Sequence, residues 1–171
     1  GTDLGGGSLK DTAEDLLFNS KLPLTSYKTS SFTLDKKSGV PLIMQTSIGQ
    51  GNTLVSPAHM ALITSAIANG GVLMKPTLID EVVNTTGESV KKTEASVYKR
   101  LISTNEANLL GKLMQGVVTN GTASALNGRG YTVAGKTGSA EFDENGSSHS
   151  WFVGYSDVDT PDIVVSVIVE N

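Results

Sequence analysis

The sequence predicts an α/β fold, part of an antiparallel sheet with helices packed on it. Three observations carry that expectation. Residues 56–69 and 103–119 each pair helix-capping residues with apolar residues at helical spacing. Residues 131–137, 151–155 and 163–170 are rich in β-branched and aromatic side chains and are separated by turn-forming residues. The 171 residues make about one domain, with no internal repeat or second composition zone.

The elements follow in order. Residues 8–18 predict a helix, with Ser8 as N-cap, Asp11 three residues on, and Leu9, Ala13, Leu16 and Leu17 on one face. Gly5-Gly6-Gly7 is expected to break the chain before it. Residues 19–50 hold Pro23, Gly39 and Pro41, show no clear period, and predict a long irregular stretch. In 56–69, Ser56 caps, Pro57 takes the first helical position and Asn69-Gly70-Gly71 stops the helix; Met60, Ile63 and Ile67 form its stripe. Residues 78–83 and 97–102 predict two strands joined by a polar stretch around Thr86-Gly87-Glu88. In 103–119, Ser103 and Glu106 form a capping box, and the expected apolar stripe is Leu110, Leu113, Met114 and Val117. Of the last three strands, the first two are joined by a polar turn over 141–150 with Asn145-Gly146 at its tip. Asp159-Thr160-Pro161 turns the chain into the third. Residues 163–169 are nearly continuous in β-branched residues, which predicts a central strand covered on both faces.

Composition excludes several functions. A net charge of −4 and a pI near 5.1 do not supply the basic face that phosphates require, and no run of five like charges forms a tail. With no cysteine, disulfides, thiol catalysis and cysteine zinc sites are excluded. The two histidines, His59 and His149, lie far apart, so neither a metal nor another cofactor is expected. The longest apolar stretch, 163–169, is far short of the ~20 residues that span a bilayer. The first residues have no basic start and no apolar run, so any targeting segment of an exported parent is expected outside this chain.

The chemically informative string is Ala134-Gly135-Lys136-Thr137-Gly138-Ser139-Ala140-Glu141. At the end of a strand, a lysine ammonium beside a hydroxyl can hold a carboxylate. Gly138 lets a ligand approach the backbone, and the next free N–H, that of Ser139, can point at a developing oxyanion.

Further strings surround it: Ser47-Ile48-Gly49-Gln50-Gly51, then Val55-Ser56-Pro57-Ala58-His59-Met60-Ala61; Ala66-Ile67-Ala68-Asn69-Gly70-Gly71; Met114-Gln115-Gly116-Val117-Val118 with Asn120-Gly121-Thr122-Ala123; and Ser150-Trp151-Phe152-Val153-Gly154-Tyr155. In this order and spacing the chain resembles the transpeptidase domain of penicillin-binding proteins, class B in particular, along nearly its whole length. The family's motif set is Ser-x-x-Lys, Ser-x-Asn and Lys-Thr-Gly. The resemblance implies that Lys136 and Thr137 bind the terminal carboxylate of a D-Ala-D-Ala stem peptide or of a β-lactam. It implies that the Ser139 N–H is one of two oxyanion donors. Gly49-Gln50-Gly51 and the helix after Ser56 are taken as structural, and His149 and Trp151 as packing or orienting the neighbouring strand.

The departures from the pattern matter as much. In the family, Ser-x-Asn lies just upstream of a segment like 4–13, and Ser-x-x-Lys further upstream. Neither precedes Gly1 here. The expectation is therefore a C-terminal portion of the domain, 1–171, that lacks the nucleophile and is inactive alone. Ser89-Val90-Lys91-Lys92, Ser96-Val97-Tyr98-Lys99 and Ser103-Thr104-Asn105 match the missing motifs formally. They are read as decoys, because the first two fall in a stranded stretch and Ser103 is already a cap. The family's final helix and first strands are not in this chain either, which leaves the strand at 163–170 with a bare apolar edge through which chains can associate.

The resemblance implies a parent anchored on the outer face of the bacterial cytoplasmic membrane, cross-linking peptidoglycan stem peptides, binding β-lactams and working beside other cell-wall synthesis proteins. The alternatives are the β-lactam sensor domain of a receptor and a serine β-lactamase. The strings at 66–71 and 120–123 favour the transpeptidase.

Overall fold

The computed structural model describes residues 3–25, 27–142 and 146–170. Its elements are helices α1 (Gly5–Asp15), α2 (Val40–Ser47) and α3 (Pro57–Ala68); strands β1 (Val72–Met74), β2 (Glu81–Val83), β3 (Ser89–Lys92) and β4 (Val97–Arg100); helix α4 (Thr104–Asn120); a short 3-10 turn, Ser124–Leu126; and strands β5 (Val133–Glu141), β6 (Ser148–Ser156) and β7 (Ile163–Val169). The strands form three antiparallel groups: β1 with β4, β2 with β3, and β5-β6-β7 in that order. The expected α/β class with an antiparallel sheet is what is found. No helix of the described residues is long and apolar enough to cross a membrane.

The two capped helices form as the sequence predicts. The Ser56 hydroxyl accepts from His59 N–H at 3.2 Å, and Pro57 opens α3. The Ser103 hydroxyl accepts from Glu106 N–H at 3.2 Å while the Glu106 carboxylate accepts from Ser103 N–H at 2.8 Å. Each bond satisfies a backbone donor that the first helical turn leaves without a partner. Hydrogen bonding to the carboxylate, first from the Ser103 side chain and then from the Ser103 N–H, also holds the Glu106 carboxyl below its usual pKa.

Several local expectations are corrected. Helix α1 begins at Gly5, three residues before the expected start, and Ser8 does not cap it. Gly6 and Gly7 pack rather than break the helix: a Cβ on Gly6 would collide with the Asp35 carbonyl oxygen, so that turn needs a bare α-carbon. Residues 19–50 are not irregular throughout, because α2 lies inside them with Pro41 in its first turn. Among 78–102 there are three strands rather than two, since β3 turns back on β2, and β4 pairs with β1 instead. On α4 the buried face is Ala107, Gly111, Met114 and Val118, while Leu110 and Leu113 of the expected stripe are exposed. Small residues win that face because the helix lies close to the sheet. A Cβ on Gly111 would stand 2.7 Å from the Tyr155 hydroxyl.

The core has three contiguous parts. Leu17, Leu22, Leu62, Ala66, Leu73 and Leu101 join α3 to the β1–β4 pair. Ala13, Phe18 and Ile63 join α1 to α3, with Met60 and Ile67 of the predicted stripe against them. Met114, Ala134 and Tyr155 join α4 to the three-stranded sheet. His59 is fully buried between the first two parts, with its Nε2 2.7 Å from the Leu16 carbonyl oxygen and its ring 4.8 Å from that of Phe18. Burial holds its pKa below the ordinary histidine value, so the ring is neutral.

Strand β7 does not have the expected double cover. It lies at the edge of its sheet, and residues alternate along it. Val164, Ser166 and Ile168 are half-buried toward α3, whereas Ile163, Val165, Val167 and Val169 are exposed. Among the described residues, helices cover one face of the sheet only.

Candidate functional site

Strand β5 carries the Lys-Thr-Gly string, and three neighbours hold it. It pairs with β6 without a register shift from Val133 opposite Ser156 to Glu141 opposite Ser148. Helix α4 packs behind it on Ala134, which is 0 % exposed. Tyr155, directly opposite Ala134, fills the remaining space, and burial raises its pKa. The motif lies in the middle of the strand, not at its end as the sequence suggested, because β5 runs four residues past Thr137 to Glu141. The tip of the following turn, Asn145, lies outside the described residues.

Among the described residues only one edge of β5 is paired. In an antiparallel ladder the N–H and C=O of one residue point to the same side, and alternate residues share that side. Two contacts identify the residues on the open edge. The Gln50 side-chain amide donates to the Ser139 carbonyl at 3.2 Å, and the Lys136 ammonium donates to the Thr137 carbonyl at 2.6 Å. Thr137 and Ser139 therefore present their backbone groups outward. The Ser139 N–H points out from that edge, free to donate to a ligand oxygen.

The side chains complete the arrangement. Lys136, Gly138 and Ser139 are exposed and Thr137 is half-buried. The Thr137 hydroxyl lies 2.6 Å from the hydroxyl of Thr122, which follows α4. Among the described residues Lys136 makes no ion pair, so its ammonium has only a neutral carbonyl to satisfy it. A ligand carboxylate is a stronger partner than that carbonyl. Gly138 sits opposite Trp151, leaving bare backbone between the Thr137 hydroxyl and the Ser139 N–H. The set offers an ammonium, a hydroxyl and a main-chain N–H along one strand edge. It suits a ligand with a carboxylate at one end and a polarised carbonyl at the other.

Two neighbours of the motif were missed by sequence reasoning. Gln50 and Thr122 sit inside strings that the resemblance marks, yet nothing local shows that they meet β5, 89 and 15 residues away from their respective partners. His149 and Trp151 lie on β6, where they were expected, and the His149 ring stacks on Phe142 at 4.2 Å between centroids. Among the described residues no group of three or more His, Asp or Glu is placed to hold a metal ion.

The formal matches to the other two motifs lie elsewhere. Ser89 opens β3 and is exposed, Ser96 precedes β4, and Ser103 caps α4. Neither Ser89 nor Ser96 starts a helix, so no lysine stands one turn away beneath its hydroxyl.

The model of the penicillin binding protein transpeptidase domain matches residues 2–171. Penicillin-binding protein 3 of Bacillus subtilis is 32% identical over 99% of this chain, which spans 25% of that relative. The peptidoglycan D,D-transpeptidase PbpA of Mycobacterium tuberculosis is 26% identical over the whole chain, which spans 35% of it. Among solved structures, the D,D-transpeptidase domain of a peptidoglycan glycosyltransferase from Eggerthella lenta superposes with a TM-score of 0.86 at 30% identity, covering 99% of this chain and 44% of that one. The imipenem acyl-enzyme of penicillin-binding protein A from M. tuberculosis superposes with a TM-score of 0.81 at 26% identity, covering 95% and 37%. The chain thus spans about a quarter to a third of these two curated relatives' length.

Proposed function

Because this chain belongs to the penicillin-binding protein transpeptidase domain family, we propose that it forms one wall of a peptidoglycan D,D-transpeptidase site. The observation that carries the reading is the open edge of β5, where Lys136, Thr137 and the Ser139 N–H stand together on a rigid strand. Lys136 and Thr137 hold the terminal carboxylate of a D-Ala-D-Ala stem peptide. The Ser139 N–H donates to the carbonyl oxygen as it takes up charge.

The chemistry is acyl transfer. A serine oxygen attacks the carbonyl carbon of the penultimate D-alanine, and its proton passes to a neighbouring lysine. The C–N bond breaks, and the terminal D-alanine leaves with a proton on its nitrogen. The amine of a second stem peptide then attacks the ester and releases the serine. This serine and lysine come from the parent protein, outside residues 1–171. A β-lactam follows the first half of the same path and stays as an acyl-enzyme. The parent works on the outer face of the cytoplasmic membrane, with other cell-wall synthesis proteins as partners.

The test is intact mass after incubation with benzylpenicillin. The full-length protein is expected to gain one adduct, mapping to a serine outside residues 1–171, and the isolated chain to gain none. An adduct on Ser89 or Ser96, or no adduct on the full-length protein, refutes the assignment.

A further inference from the structure

The Thr122–Thr137 contact raises a question of proton direction. A hydroxyl has one proton to donate and two lone pairs to accept with. At 2.6 Å one of the two threonines donates to the other. If Thr137 donates to Thr122, it shows only lone pairs to the open edge, and these repel a carboxylate. If Thr122 donates, the Thr137 proton is free to point at the ligand.

We infer that Thr122 is a positioning residue: its hydroxyl donates to Thr137 and so commits the Thr137 proton to the bound carboxylate. The inference rests on the carboxylate-binding reading of this edge. Four features support it beyond the distance. The backbone around Thr122 is clamped, since the N–H groups of Gly121 and Ala123 both donate to the Val117 carbonyl at 3.1 Å. Ala123 is buried and a Cβ on Gly121 would stand 2.9 Å from the Val117 α-carbon, so this loop is pressed onto the last turn of α4. The same α4 packs behind Ala134, so one rigid helix fixes both partners of the hydroxyl pair. The Lys136 ammonium beside Thr137 favours an anion there, and an anion accepting from Thr137 strengthens the bond that Thr122 donates to it.

The test compares benzylpenicillin with its methyl ester on the full-length protein. Both carry the reactive β-lactam ring, but only the free acid presents a carboxylate. Thr122→Val keeps the shape and removes the hydroxyl. It is expected to cut the acylation efficiency with the free acid about 10-fold, the upper range for a hydrogen bond between two neutral hydroxyls, and to reduce the preference for acid over ester by a similar factor. Thr122→Ser, which keeps the hydroxyl, restores the preference to within about 3-fold of the wild type. Thr122 is exposed, so neither change threatens folding. An equal loss with acid and ester means a merely structural role and overturns the inference. So does an unchanged preference in Thr122→Val, or a Thr122→Ser that behaves like it. A wild-type protein that no penicillin acylates overturns the functional reading, and this inference falls with it.

Discussion

Strands β3 and β5 are both short-range hairpin partners bearing an exposed lysine near a hydroxyl residue, and they differ in what stands behind them. Every residue of β2 and β3 is exposed, Lys91 and Lys92 included. Strand β5 has Ala134 fully buried against α4, a ladder to β6 along its whole length, and side chains from two distant loops on its open edge. A lysine on a free hairpin samples many positions and pays full rotamer entropy to bind anything. One on a strand anchored from behind holds its backbone neighbours, here the Thr137 hydroxyl and the Ser139 N–H, at fixed distances. Preorganisation, rather than residue type, separates a candidate site from a solvated surface.

The comparison breaks first at the lysines themselves. Lys136→Ala in the full-length protein is expected to lower acylation by benzylpenicillin up to about 100-fold, given about 1.5–3 kcal/mol for a hydrogen bond to a charged group. Lys91→Ala and Lys92→Ala should stay within about 2-fold, as for surface changes. Equal effects at the two strands would remove the distinction.

Support from behind is tested next. Gly111→Ala forces a methyl toward the Tyr155 hydroxyl at 2.7 Å and is expected to cost about 1–3 kcal/mol of stability by overpacking. Adding Tyr155→Phe removes the obstructing oxygen and should recover part of that loss in denaturant unfolding of the full-length protein. If the double variant is as unstable as the sum of the singles, α4 does not seat on the sheet through this contact.

The caps give a smaller effect. Ser103→Ala loses the bond to Glu106 N–H at the start of α4 and should cost about 1 kcal/mol. Ser89→Ala, on the exposed hairpin, should change stability by less than about 0.5 kcal/mol.

The smallest expected effect is a pH dependence from His59. Its folded pKa lies below the unfolded value of 6.5, because burial disfavours the imidazolium. Between the two values the unfolded chain binds more protons, so stability rises with pH across that window. The contribution is full above about 6.5, the unfolded pKa, and is lost as pH falls toward the folded value. His59→Gln has no titrating group there. The difference in unfolding midpoint between wild type and variant should therefore shift with pH only below about 6.5. A difference that stays constant down to acidic pH would show that His59 is not buried neutral.

Much of the molecule is legible in the residues. Ser56-Pro57 and the Ser103/Glu106 box mark their helices because capping is a local exchange of hydrogen bonds within four residues. The last three strands show through their β-branched runs, though only the ladder reveals that the first of them extends to Glu141. Helix α2 was hidden because its eight residues are too few to show a period and no side chain caps its start, and Gly6 and Gly7 of α1 read as a break because their packing partners, Asp35 and Lys36, are some thirty residues downstream. The buried face of α4 was misread for a related reason. Leu110 and Leu113 are more apolar than Gly111 and Ala107, yet the close approach of the sheet selects the small residues.

By itself, the sequence determined the family, through the order and spacing of its strings, and with it the identity of Lys136, Thr137, Gly138 and Ser139 as the residues to watch. These are properties of contiguous residues. Only the tertiary structure decided that Thr137 and Ser139 face the open edge of β5, that Gln50 and Thr122 reach them there, and that β7 is covered on one face alone. Those facts depend on which elements meet in space, and on the shared burial of Met114, Ala134 and Tyr155 that brings α4 and the sheet together.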